Sequence, residues 1–143
     1  MTFISYFTYT LFMAAEDEPR MTLLFVDDEF INLIGFKALF RRDYKVFTAL
    51  SAQDAFKIIK ENKIDAIISD QRMPGMKGSE MFACLDNNED KHEGKPLRLI
   101  VTGYAQDEEI KEAEEQGLVD LVLEKPLQAQ LLLRQLDRLS KNR

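Results

Sequence analysis

The sequence predicts an α/β protein built on one doubly wound parallel sheet, and three observations point to it. Five short apolar runs alternate with five segments whose apolar residues recur at helical spacing. The runs are nearly continuous rather than alternating, as expected of strands buried on both faces. Four of the five runs end in polar side chains, where an open α/β sheet places its functional crevice. Right-handed crossovers then put helices on both sides of the sheet. A chain of 143 residues suits one compact domain, assigned to residues 21–143.

The elements follow in order. TLLFV (22–26) reads as the first strand, and FINLIGFKALFRR (30–42) as a helix with Ile31, Ile34, Ala38 and Leu39 at helical spacing. YKVFTAL (44–50) is the second strand. Ser51 is the N-cap of a helix over 52–62, whose stripe is Ala55, Phe56 and Ile59. DAIISD (65–70) is the third strand, KGSEMFACLDN (77–87) the third helix, and 86–96 a polar loop. LRLIVTGY (97–104) is the fourth strand. An acidic fourth helix (107–116) stops at Gly117. LVDLVLEKP (118–126) is the fifth strand, and a last helix (127–141) carries Leu131, Leu132, Leu136 and Leu139 on one side.

Residues 1–20 stand apart. MTFISYFTYTLFMAA is apolar and aromatic, yet too short to span a bilayer as a helix. It lacks the basic stretch that opens a secretory signal, although Ala14-Ala15 mimics a cleavage site. The segment reads as an N-terminal extension: either the product of an upstream start, with Met13 and Met21 as alternatives, or a stretch that docks on the domain or on a partner.

Composition narrows the function. A net charge of −6 argues against a nucleic-acid surface. The lone Cys84 cannot form an internal disulfide and reads as a small core residue. The lone His92 sits in a polar loop, which leaves no histidine-based triad or zinc cluster. No P-loop or dinucleotide fingerprint is present.

The strand ends carry the chemistry. Asp27 and Asp28 follow strand one, Asp70 ends strand three, Thr102 and Gly103 end strand four, and Lys125-Pro126 end strand five. Converging carboxylates repel, so such a site must hold a proton or recruit a cation. Magnesium suits oxygen ligands and leaves coordination positions for a phosphate oxygen. Lys125 supplies a point charge for a phosphoryl group, and Thr102 a hydroxyl donor. Together these parts suit phosphoryl transfer to a carboxylate nucleophile. Asp27 and Asp28 are adjacent and read as metal ligands. Asp70 stands alone at the middle of the edge and reads as the nucleophile, with Pro74-Gly75 turning the chain away and Gly78 allowing close passage into the next helix. Each residue also has an ordinary explanation, Asp28 as a helix cap and Asp70 as a turn residue, for example. Their joint occurrence at strand ends favours a site.

Asp27-Asp28, DQRMPGMKG (70–78), VTGY (101–104) and EKP (124–126) resemble the receiver domain of two-component response regulators, from about Met21 to the end. The resemblance implies a flavodoxin-like (βα)5 fold with sheet order 2-1-3-4-5. It implies that Asp70 accepts a phosphoryl group from a histidine kinase or phosphotransfer protein. Asp27, Asp28, Asp70 and the backbone carbonyl of Arg72 would hold Mg²⁺. Thr102 would move to the phosphoryl group, and Lys125 would pair with it. A conformational signal would then pass to a protein partner through the face formed by helix four, strand five and helix five. The protein would be cytoplasmic and not a conventional enzyme, its only chemistry being its own phosphorylation and dephosphorylation. With no output domain in the sequence it reads as a stand-alone receiver, and its leucine-rich last helix leaves room for a homodimer. Three departures matter. Val122 occupies the switch position where the family carries Tyr or Phe. The stretch from Gly117 to Lys125 is one residue longer than usual. Arg72 and Tyr104 stand two positions after Asp70 and Thr102, where side chains control attack by water. A phosphorylation-independent interaction module is the alternative. A phosphatase with an Asp nucleophile would place D-x-D after the first strand, whereas this chain has Asp27-Asp28-Glu29.

Overall fold

The computed structural model describes residues 20–88, 94–104 and 106–142. Most of the N-terminal extension, and His92, therefore lie outside the described residues. Strands β1 (Thr22–Val26), β2 (Lys45–Ala49), β3 (Ala66–Asp70), β4 (Leu97–Thr102) and β5 (Leu121–Glu124) alternate with helices α1 (Phe30–Phe40), α2 (Ala52–Glu61), α3 (Gly78–Asn88), α4 (Glu108–Glu115) and α5 (Ala129–Lys141). The strands form one parallel sheet in the order 2-1-3-4-5, the flavodoxin-like arrangement. β1 and β3 lie inside the sheet, and every residue of β3 is buried. That is why their sequences run apolar without alternation.

Two apolar layers sandwich the sheet. One joins α2, α3 and α4 through Ala52, Ala55, Met81, Phe82, Ile110 and Ala113. The other joins α1 and α5 through Leu33, Phe36, Phe40, Leu132 and Leu136. Phe25 of β1 stacks on Phe36 at 4.1 Å between ring centroids, and Phe36 packs on Phe40 at 4.5 Å. Such ring pairs add about 1 kcal/mol each beyond their buried area. They fix α1 on the sheet.

The expected local signals operate. The Ser51 hydroxyl accepts the Asp54 N–H at 3.1 Å and caps α2. Gly117 takes φ +74°, and the Leu118 N–H closes α4 on the Ala113 carbonyl.

Three expectations need correction, and the structure decides a face of α1 that helical spacing left open. The core face of α1 is Leu33, Phe36 and Phe40, while Ile31, Ile34, Ala38 and Leu39 are exposed. Strand five begins at Leu121 rather than 118, because Leu118 is engaged in closing α4 and Asp120 brackets Arg98 by both its backbone N–H and its carboxylate. The strand bodies are not wholly apolar: Arg98 lies within β4 at 1% exposure, its guanidinium reaching Asp86 at 3.3 Å and the Phe82 carbonyl at 3.4 Å. Cys84 is only half-buried.

Gly78 opens α3 against the end of β3. A Cβ there would stand 2.6 Å from the Asp70 carbonyl oxygen. Gly78→Ala should therefore cost about 2 kcal/mol of stability, as overpacking against backbone does. A denaturant midpoint lowered at unchanged slope would report it.

Candidate functional site

Parallel strands bring their carboxyl ends to one edge, and the register decides which residues meet there. Val26 pairs with Ser69, Asp70 with Val101, and Thr102 with Glu124. Asp27, Asp28, Asp70, Thr102 and Lys125 are therefore delivered to one crevice. The extra residue before Lys125 does not displace it. Its backbone N–H bonds to the Thr102 carbonyl at 2.9 Å, and its ammonium stands 3.2 Å from the Asp70 carboxylate.

Asp27, Asp28 and Asp70 each offer one carboxylate oxygen, and these oxygens lie within 4.8 Å of one another. Asp27 is buried and held from two sides, by the Glu29 N–H at 2.9 Å and the Asn32 side-chain amide at 3.1 Å. Asp28 is exposed at the mouth. Asp70 is only 8% exposed. Burial pushes its carboxyl above the ordinary carboxylate value, while Lys125 pulls it back and Asp27 pushes it up again. The Arg72 backbone pulls it down as well, by less than the other groups. Two unit charges at such a separation repel by roughly 3 kcal/mol at an effective dielectric of 20, and one lysine offsets only part of that. An all-oxygen cluster of this kind fits a hard divalent cation such as Mg²⁺.

Thr102 is buried, and its hydroxyl accepts the Tyr104 N–H at 3.0 Å. The guanidinium of Arg72 lies 3.8 Å from the centroid of the Tyr104 ring. This contact ties the loop after β3 to the loop after β4. Val122 lies in β5 beside Ile100 and packs, half-buried, against the α2–α3–α4 layer.

Sequence reasoning missed the residue that holds the loop after β3. Gln71 is fully buried, and its side chain bonds twice to Ser79: the amide to the hydroxyl at 2.8 Å, and the Ser79 N–H to the amide oxygen at 2.9 Å. The Ser69 hydroxyl donates to the Asp70 carbonyl at 2.8 Å. A polar residue directly after the acid, eight positions before a serine in the first turn of a helix, was the available signal.

A family model described as the response regulator receiver domain matches residues 23–137. The chain is a response regulator receiver domain. This receiver is 31% identical over 117 residues to the transcriptional regulatory protein GlrR of Escherichia coli, covering 80% of this chain and 25% of that protein. It is 32% identical over 89 residues to the hydrogenase transcriptional regulatory protein HoxA of Bradyrhizobium diazoefficiens, covering 62% and 18%. The receiver thus spans a quarter or less of these relatives. Among solved structures it resembles the chemotaxis protein CheY4 of Vibrio cholerae (26% identity, TM-score 0.72, 83% of this chain and 98% of that one). It also resembles a chain described as adenylate cyclase from Rhodopirellula baltica (28%, 0.74, 83% and 86%). Among the described residues no helix is long and apolar enough to cross a membrane.

The raised Asp70 carboxyl has a consequence for stability. Its folded value lies above the unfolded one, so charging it opposes folding at neutral pH. That cost is relieved as pH falls through the folded value, and it is gone below the unfolded value. Without divalent cations, Asp70→Asn should be more stable than the parent by about 1 kcal/mol at pH 7. The two melting curves should converge on acidification.

Proposed function

We propose that this receiver is the phosphoacceptor of a two-component relay, acting through Asp70. The observation that carries the reading is one carboxylate fixed at the end of a fully buried central strand, with two further carboxylates and a lysine converging on it. A carboxylate oxygen of Asp70 attacks the phosphorus of a phosphohistidine on a histidine kinase or phosphotransfer protein. The P–N bond breaks, and its electron pair stays on the imidazole, which takes up a proton. Asp27, Asp28, Asp70 and the Arg72 backbone carbonyl are the residues that would hold Mg²⁺. When bound, that ion neutralises charge on the transferring group. Lys125 leaves its pairing with the Asp70 carboxylate to bind a phosphoryl oxygen. The Thr102 hydroxyl donates to another.

Relay of the signal to an output protein through the face of α4, β5 and α5 belongs to the same proposal. Val122 supports a second reading there, a receiver that binds its partner without phosphorylation. An aliphatic side chain packed in β5 offers no ring that could swing between states.

Incubation with acetyl phosphate separates the two readings. Phosphoryl-receiver should accumulate only with Mg²⁺, and Asp70→Asn should abolish it. No labelling of the parent chain by any phosphodonor would favour the second reading. The Arg72–Tyr104 stack should also shield the acyl phosphate from water. The double variant Arg72→Asn, Tyr104→Ala should then lose its phosphoryl group about tenfold faster, as loss of about 1.4 kcal/mol of barrier implies. Intact-mass kinetics would measure it.

A further inference from the structure

Gln71 and Ser79 are both buried, and polar side chains so placed must be satisfied or they destabilise the fold. Here every polar group of the Gln71 amide is used. Its Nε2 donates to the Ser79 hydroxyl at 2.8 Å, and its Oε1 accepts the Ser79 N–H at 2.9 Å. The main chain repeats the tie. The Gly78 N–H donates to the Gln71 carbonyl at 3.1 Å. The Ser69 hydroxyl donates to the Asp70 carbonyl at 2.8 Å, and Gly78 passes so near that a Cβ would meet the same carbonyl oxygen. The carbonyls of Asp70 and Gln71 are thus both held. The next carbonyl along the chain belongs to Arg72, whose backbone acts on the Asp70 carboxylate. An apolar side chain at position 71 could fill the same space. Two directed hydrogen bonds add an orientation that packing alone does not give.

We infer that Gln71 and Ser79 are positioning residues for the cation site: their clamp sets the Arg72 backbone beside the Asp70 carboxylate before any cation arrives. This rests on the Mg²⁺ site proposed above, formed by Asp27, Asp28, Asp70 and the Arg72 carbonyl, and names what keeps that site in shape. A carboxylate can turn about its own side-chain bonds to meet a cation. A backbone carbonyl stands only where its loop puts it. The other ligands have restraints of their own. Asp70 ends a fully buried strand, and Asp27 is held by the Glu29 N–H and the Asn32 amide. Arg72 lies in the stretch 71–77 between β3 and α3, with no strand or helix to fix it. The clamp joins the first residue of that stretch to the first turn of α3, and so supplies the missing restraint. Hydrogen-bonded groups behind a metal ligand fix its orientation in this way.

Titration calorimetry with Mg²⁺ on the full chain tests this. Gln71→Met removes both side-chain bonds at nearly constant volume and should weaken Mg²⁺ binding about tenfold, with the far-ultraviolet circular dichroism retained. Adding Ser79→Ala removes the stranded hydroxyl, so the double variant should melt closer to the parent than Gln71→Met does. Its Mg²⁺ affinity should nevertheless stay low, because stability returns and the directed clamp does not. Ser79→Ala alone, which keeps the bond from the Ser79 N–H, should show a milder loss of affinity and serves should Gln71→Met disturb folding. Variants that bind Mg²⁺ as tightly as the parent overturn the positioning role and leave the cation site standing. Affinity that recovers together with the melting temperature in the double variant overturns it too, in favour of a purely structural clamp. A parent chain that binds no Mg²⁺ overturns the cation site itself, and this role with it.

Discussion

Crowded negative charge at the end of a buried strand is the constraint around which the rest of this molecule is arranged. Asp70 emerges from a strand with no exposed residue, and two more carboxylates come within reach of it. Left alone they would repel one another and resist burial. The surrounding structure holds them there by many small contacts. Glu29 and Asn32 fix Asp27, and Lys125 faces Asp70. The apolar sandwich supplies the stability that this edge lacks. A polar, electrostatically poised edge on a rigid apolar scaffold is the usual division of labour in open α/β folds.

Much of this was legible before any coordinates. The succession of strands and helices and the identity of the strand-end residues follow from patterns that depend on the local chain, continuous apolar runs, a serine cap and a glycine stop, while the sheet order was implied by the resemblance to receiver domains. What escaped depends on partners distant in sequence. Arg98 looks like a misplaced charge within β4 until Asp86, twelve residues earlier, is seen beside it. Gln71 looks like a loop residue until Ser79 closes on it. Periodicity could not say which side of α1 faces the sheet, because both sides are apolar. The stripe at Ile31, Ile34, Ala38 and Leu39 is as regular as the one that is buried, and only the stack of Phe25 on Phe36 decides between them. The short β5 escaped because the chain closes a helix and brackets an arginine before it can join the sheet.

The loops around Asp70 are tied to one another as well as to the strands. Arg72 stacks on Tyr104, the Tyr104 N–H rests on the Thr102 hydroxyl, and the Thr102 carbonyl holds the Lys125 N–H. Strands three, four and five thus end in one connected set of contacts. This connection runs along the strand ends and involves no side chain at Val122.

The clamp between Gln71 and Ser79 has a bearing on how such a domain can vary. Residues 72–77 take no part in the clamp, but the loop is tied elsewhere, Arg72 meeting the Tyr104 ring, Met73 lying in the core and Lys77 pairing with Glu109. Its two ends cannot change independently. Replacing Gln71 by an apolar residue strands the Ser79 hydroxyl and N–H in a buried place, and replacing Ser79 strands the Gln71 amide. Gly78 adds a steric condition at the same junction. The two ends of the segment are therefore coupled through Gln71, Gly78 and Ser79, and a change at one calls for a change at the others.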